Sequence, residues 1–358
     1  MNIPDLTRLK SCMRRAEAGE ELTIGFFGGS ITQDSLATKH ENCYAYRVFR
    51  WWEETFPKAA FHYVNGGIGG TTSHYGVSRV VTDMLMYQPD FVVVDFSVND
   101  DPNEFFQETY EGLIRKMLTW SSKPAVLLLN NVFYDTGKNA QEYHNRVGDW
   151  YHLPHVSIKD TVWPRMKAGE FTREEITPDG LHPNDKGHGL VAAEITTYLE
   201  QVKEHMWEDE SEQPVPSAMT DNAYENARRL TIRESCPKLD GFRADTEEKK
   251  GHLDHFKNGW IGKKSGDLIL FEIEASCIAV QYRKTIHHPA RKAELILDGD
   301  REHSVLLDGN FDEDWGDCLY LEPVLHHGKS GRHTVEIKVL PDEYETAEPF
   351  YLMALITA

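Results

Sequence analysis

Leu22-Thr23-Ile24-Gly25-Phe26-Phe27-Gly28-Gly29-Ser30-Ile31-Thr32-Gln33-Asp34 passes from a short apolar run into a double glycine. An apolar run of this length that stops at Gly28-Gly29 reads as a buried strand entering a tight turn. Ser30 follows at once, where a helix can start. A turn of this kind holds a hydroxyl at the carboxyl end of a strand, the edge at which open α/β sheets build their sites. Backbone N–H groups at a helix start point the same way. A serine in this place also serves simply as an N-cap, so the stretch needs support from elsewhere in the chain.

Two further strand-to-turn transitions follow. Phe61 to Val64 runs into Asn65-Gly66-Gly67-Ile68-Gly69-Gly70-Thr71-Thr72, and Phe91 to Asp95 runs into Ser97-Val98-Asn99-Asp100. The unbroken apolar character of 91–95 is that of a parallel strand covered on both faces. Helical spacing is expected over 5–18 (Leu6, Leu9, Met13, Ala16), 44–56, 73–87, 103–121, 139–151 and 185–206, with strands at 125–129 and 155–158 and a loop-rich stretch at 160–183. Strands alternating with helices over this length predict a doubly wound α/β domain. At Trp207-Glu208-Asp209-Glu210-Ser211-Glu212-Gln213-Pro214-Val215-Pro216 the composition turns acidic and proline-bearing, as in a linker. Beyond it the period becomes two: Ile269, Phe271 and Ile273 alternate with Leu268, Leu270 and Glu272. Strand-like runs recur at 277–283, 293–297, 303–307, 333–339 and 350–357, which predicts a β-sandwich of jelly-roll type. The expected division is 1–207 for the first domain, 208–220 for the linker and 221–358 for the second.

The 358 residues carry a net charge of −20 with no basic stretch, which argues against a nucleic-acid partner. No run approaches a membrane span and the N-terminus has no apolar signal core, so a cytoplasmic protein with no membrane partner is expected. Five cysteines (Cys12, Cys43, Cys236, Cys277, Cys318) without a CxxC pair fit reduced thiols rather than disulfides or zinc. Self-association into a homo-oligomer is left open.

Thr177-Pro178-Asp179-Gly180-Leu181-His182-Pro183-Asn184 places an acid and a histidine three residues apart in a loop. Asp179 can reach one ring nitrogen of His182 and leave the other for a nucleophile. A serine hydroxyl needs such a base, and the base needs an acid to fix its tautomer. An ordinary loop histidine beside a turn aspartate has the same local sequence. Gly70 lets backbone approach a ligand closely. With the N–H of Ser30 and the side-chain amide of Asn99, its N–H would make three donors suited to an oxyanion.

Gly28-Gly29-Ser30, Gly70, Asn99 and Asp179-x-x-His182, in this order, resemble the four blocks of the SGNH hydrolases, also called GDSL esterases. The resemblance spans roughly residues 20–205. It implies a flavodoxin-like three-layer domain with about five parallel strands. It also implies Ser30 as nucleophile, His182 as base and acid, Asp179 as its orienter, and Ser30, Gly70 and Asn99 as the oxyanion hole. Gly29 stands where the family has aspartate, and Ser97 where it has glycine. With a β-sandwich following, the layout resembles the two-domain acetylmannan esterases of carbohydrate esterase family seventeen, whose C-terminal module is of carbohydrate-binding type. The implied reaction is O-deacetylation of mannan- or xylan-derived oligosaccharides without metal or organic cofactor. The alternatives are a thioesterase or lysophospholipase of the same superfamily, and a non-catalytic carbohydrate-binding protein.

Other signals are weaker. Gly67-x-Gly69 lacks the third glycine of a dinucleotide fingerprint, because position 72 is threonine. His287-His288 and His326-His327 would point to opposite faces of a strand, which disfavours one shared metal ion. Asp308, Asp312, Asp314 and Asp317 form an acidic stretch that could take calcium, although a solvated turn is the simpler reading. Trp260 and Trp315 are candidates for stacking on sugar.

Overall fold

Leu22, Ile24 and Phe26 lie on one face of β1 (Glu21–Gly28) and Phe27 lies on the other, and all four are buried. Both faces of this strand are therefore covered. The computed structural model describes residues 3–208, 211–251, 253–341 and 346–358. The chain divides into a first unit ending at Glu225 and a second running Asn226–Ala358.

In the first unit β1 pairs with β2 (Ala60–Asn65) and β3 (Phe91–Asp95), and β4 (Ala125–Asn130) and β5 (His155–Ser157) complete the sheet. The order is β2-β1-β3-β4-β5, all parallel. This is the flavodoxin-like order that the family resemblance implies. The helices are α1 (Thr7–Glu17), α2 (Ser30–Gln33), α3 (Tyr44–Thr55), α4 (Ser73–Asp83), α5 (Glu104–Leu118), α6 (Gln141–Trp150), α7 (Val162–Lys167), α8 (Arg173–Ile176) and α9 (Asp185–Glu204). Leu9, Met13 and Ala16 of α1, Val48 and Trp52 of α3, and Val191, Ile195 and Leu199 of α9 join Phe26, Val93 and Leu127 in one core. These spacings of three and four put an apolar stripe on each helix. On the opposite face Phe27 meets Phe96, with ring centroids 5.7 Å apart, and a Cβ on Gly76 of α4 would lie 2.9 Å from the Phe96 ring.

Two helices, α7 and α8, occupy the stretch read as loop-rich. The four-residue α8 is held by a capping box between Thr172 and Glu175. The helix expected over 73–87 stops at Asp83 and continues as a separate 3₁₀ turn, Leu85–Tyr87.

Asp209 and Glu210 of the acidic segment lie outside the described residues. The rest of that stretch is fastened to the first unit. Glu111 of α5, fully buried, accepts from Met219 N at 2.6 Å, Thr220 N at 2.8 Å, the Thr220 hydroxyl and the Tyr151 hydroxyl. Arg115 donates to Pro216 O at 2.8 Å and pairs with Glu225 at 2.8 Å, while Glu108 accepts from Ala223 N at 2.9 Å.

The second unit has two antiparallel sheets. One contains β7 (Lys238–Asp240), β10 (Leu268–Ala275), β12 (Lys292–Leu297), β13 (Val305–Asp308) and β15 (Gly331–Val339), in the order β13-β12-β15-β10-β7. The other contains β6 (Arg228–Leu230), β8 (Arg243–Ala244), β9 (Trp260–Gly262), β11 (Ile278–Lys284), β14 (Cys318–Leu325) and β16 (Phe350–Thr357), ordered β14-β11-β16-β9-β8, with β6 also on β16. Ile269, Phe271, Leu295 and Ile337 from the first sheet and Val280, Tyr282, Phe350 and Leu352 from the second share one core. The sequence reading missed the short strands β6, β7, β8 and β9, and also β14. β14 is an edge strand that carries Pro323 opposite a register shift, which breaks the alternation.

Trp260 belongs to that core. It is 1% exposed and packs edge-on to Phe271 at 5.2 Å, so the expectation that it stacks on a sugar is corrected: no ring face is available. Trp315 is 53% exposed and lies edge-on to Phe311 at 5.0 Å. Asp308 pairs with Lys292 at 2.6 Å and Asp317 with Arg283 at 3.6 Å, so two of the four clustered aspartates have cationic partners.

Glu111→Ala would leave several buried donors without their acceptor. The expected loss is ~2–4 kcal/mol, read from urea unfolding of the full chain. A change below ~0.5 kcal/mol would show that Glu111 does not fasten 216–225.

Candidate active site

The parallel register brings the ends of three strands to one edge: Gly28 lies opposite Asp95, and Phe26 opposite Asn65. Ser30 is the first residue of α2. Gly29 is its N-cap, and no side chain caps this helix. The Ser30 side chain is thus free of the capping duty that the sequence also allowed. It is 8% exposed, and its Oγ lies 2.8 Å from His182 Nε2.

His182 Nδ1 lies 2.7 Å from Asp179 Oδ2. The other carboxylate oxygen accepts from Leu181 N at 2.9 Å, His182 N at 2.8 Å and Thr177 Oγ1 at 3.1 Å. Burial raises the Asp179 pKa, but the hydrogen bonds from the His182 ring and from the two backbone N–H groups outweigh it and hold the carboxyl below its ordinary value. An ionised Asp179 takes Nδ1–H and leaves the Nε2 lone pair toward the serine hydroxyl. The loop is anchored at both ends. Tyr134 N donates to Gly180 O at 2.7 Å, and Asn184 caps α9 through Lys186 N at 3.0 Å and Gly187 N at 3.1 Å.

Asn99 and the Gly69-Gly70 loop both lie beside the Ser30 turn. A Cβ on Gly29 would sit 2.2 Å from Asn99 Oδ1, so only glycine permits this approach. A larger side chain at position 29 could not be placed without moving Asn99. Gly70 has φ +66°, and a Cβ on its neighbour Gly69 would lie 3.6 Å from Ser30 Cβ. Gly69 N donates to Gln33 Oε1 at 2.5 Å, which ties this loop to α2. Asp100 ties the Asn99 loop to the start of α4, accepting from Ser73 N at 2.8 Å, and its second oxygen meets His144 Nε2 at 3.0 Å. His144 stacks on Tyr110 with centroids 3.7 Å apart.

The structure thus gathers Ser30, Asp179, His182, Asn99 and the Gly69-Gly70 turn. Sequence reasoning missed Gln33, Asp95 and the tethering role of Asp100. The glycine run could have led to Gln33, because a bare loop invites a side-chain anchor. Asp95 ends β3 beneath the turn, and its carbonyl accepts Gly29 N at 3.2 Å. Its buried carboxyl accepts from Asn131 Nδ2 at 2.8 Å. Burial dominates these bonds and pushes its pKa up to about 7. Burial likewise pushes the Cys12 and Cys43 thiols up to about 12, which leaves them inert at neutral pH.

A profile of the GDSL-like Lipase/Acylhydrolase family matches residues 26–190. Two solved structures of a two-domain esterase active on acetylated mannans match the full length, each 50% identical and covering 99% of this chain. The one co-crystallised with mannopentaose superposes with a TM-score of 0.96 over 95% of its own chain, and the other with 0.97 over 96%. No curated protein sequence matches the chain. The chain belongs to the GDSL-like lipase/acylhydrolase family, the SGNH hydrolases.

The Asp95 carboxyl titrates higher in the folded than in the unfolded chain. Between about pH 4 and 7 the folded state holds a proton that the unfolded state has lost, so stability falls across that window as pH rises and then levels off. Asp95→Asn has no such proton to lose. Its stability relative to wild type should rise by ~3 kcal/mol between pH 4.5 and 7.5 in urea unfolding. A pH-independent difference would place the Asp95 pKa in the ordinary range.

Proposed function

We propose that this protein is a serine esterase that removes O-acetyl groups from acetylated oligosaccharides, mannan-derived ones first and xylan-derived ones second. The observation that carries the reaction is the hydrogen-bonded line Asp179–His182–Ser30, with contacts of 2.7 and 2.8 Å. The sugar class is supported by full-length similarity to an esterase active on acetylated mannans.

In this reading Ser30 Oγ attacks the acetyl carbonyl carbon while its proton passes to His182 Nε2. The developing oxyanion is met by the Ser30 and Gly70 N–H groups and the Asn99 amide. His182 then gives its proton to the departing sugar hydroxyl and leaves an acetyl-serine. Water that loses a proton to His182 attacks this ester, releases acetate and restores the serine. Every step is a proton or acyl transfer among these groups, so the reading needs no metal or organic cofactor.

The rival acyl chemistries, thioester and lysophospholipid hydrolysis, would favour an apolar cover near the serine. Residues 160–180 instead form α7 and α8, laced by Arg165–Glu170 at 2.6 Å and Arg173–Asp135 at 3.3 Å. Among the described residues no helix is long and apolar enough to cross a membrane. The five free cysteines, four of them buried, support a reducing, cytoplasmic setting. Trp315 remains the residue we propose for contact with sugar.

Acetate release from acetylated manno- and xylo-oligosaccharides, beside p-nitrophenyl acetate and a longer acyl ester, tests this reading. Ser30→Ala and His182→Ala are each expected to abolish release, and wild-type turnover in either would overturn the triad. Activity confined to long acyl or thioester substrates would keep the triad and overturn the substrate. Asn99→Ala should lower kcat by ~100-fold or more with KM little changed. A change in KM alone would remove Asn99 from the oxyanion hole.

A further inference from the structure

Arg79, on α4, has no exposed surface. A buried guanidinium is costly unless acceptors meet its charge, and here they meet both terminal nitrogens. Here Nη2 donates to Gly28 O at 3.0 Å and Nη1 to Gly66 O at 2.6 Å, while Asp83 Oδ2, one turn along the helix, lies 3.1 Å from Nη1. The guanidinium carbon stands 4.3 Å from the Phe27 ring centroid and 5.3 Å from that of Tyr75, so aromatic faces take up its surface.

The two carbonyls belong to different strand ends. Gly28 is the last residue of β1 and its peptide leads to Gly29 and Ser30. Gly66 follows β2 and opens the loop to Gly69 and Gly70. The loops are already laced by Ile68 N to Gly28 O at 3.1 Å and Gly66 N to Phe26 O at 2.8 Å. Those bonds set the distance between the loops but not their tilt relative to α4. A planar fork that accepts no rotation about its own bonds fixes both peptide planes against one helix.

We infer that Arg79 is a positioning residue for the esterase reaction: its guanidinium sets the relative orientation of the Ser30 and Gly70 N–H groups. The inference rests on the esterase reading above. Donors aimed at an oxyanion act in the transition state more than in the ground state, so loosening them lowers kcat and leaves KM nearly unchanged. Lysine keeps the charge but offers one compact ammonium in place of a fork.

The test compares wild type, Ser30→Ala, Arg79→Lys and Asp83→Asn on p-nitrophenyl acetate. Reactive serines are counted with a fluorophosphonate label, and folding is followed by circular dichroism. Arg79→Lys is expected to lose ~10–100-fold in kcat per labelled serine with KM within about 2-fold, and to label more slowly. Asp83→Asn, at the outer edge of the cluster, is expected to lose about 3-fold in kcat with the same split. A purely structural role would lower the number of labelled serines or the melting temperature and leave turnover per labelled serine intact. A folded Arg79→Lys with wild-type turnover per labelled serine would overturn the inference. If Arg79→Lys does not fold, an unchanged kcat in Asp83→Asn overturns it. Turnover persisting in Ser30→Ala would instead overturn the esterase reading itself.

Discussion

The site depends on the parallel pairing of β1 with β2 and β3. Because Gly28 pairs with Asp95 and Phe26 with Asn65, three loops leave the sheet at one level. Each then needs only a few residues to bring its group to the same place. Side-chain direction alternates along a strand, so a slip of one residue would turn Phe26 and Phe27 to the wrong faces and carry the loop with them. Burial on both sides of β1 makes such a slip costly, and the sheet's apolar core thereby enforces the geometry of a polar site. The remaining freedom is removed by short polar ties: Gln33 to Gly69, Asp100 to Ser73 and Asn131 to Asp95.

Much of this could be read from the sequence. The strands of the first unit stand out because both faces are covered, which makes their apolar runs continuous, and the helices because their apolar positions recur at three and four. The residues now gathered at this edge were readable one by one because each is a departure from its surroundings: a double glycine, a glycine-rich loop, a loop amide, a histidine between prolines. Arg79 and Asp95 were not readable. Each is an ordinary charged residue in an ordinary helix or strand, and the carbonyls and amides that hold them have no sequence signature. In the second unit Trp260 and Trp315 look alike as residues, and the burial of Trp260 was not readable because it lies on a three-residue strand too short to show a period. The helices α7 and α8 were hidden by their length, although Thr172 and Glu175 carried the capping pattern that marks α8.

Charge is distributed unevenly around the nucleophile turn. Arg79 holds the Gly28 carbonyl, and Asp95 lies below with its carboxyl buried and titrating near neutrality. In the proposed reaction, a cation fixed behind the turn and a carboxyl that keeps its proton to a higher pH than usual both favour the negative charge that develops on the acetyl oxygen. The net charge of −20 acts the other way at long range, but salt screens it within about a Debye length.

Ser30 and His182 stand 152 positions apart in the chain. Synthesis begins at the amino end, and a domain folds as a unit once its segments are out. The residues of the Ser30 turn and of β2 to β4 are all made before the loop that carries His182. Until α9 closes over the sheet, Ser30 is an ordinary alcohol with no base within reach. In the proposed enzyme, chemical competence therefore waits for the late loop that carries His182, and a chain arrested before that loop holds a serine that cannot react.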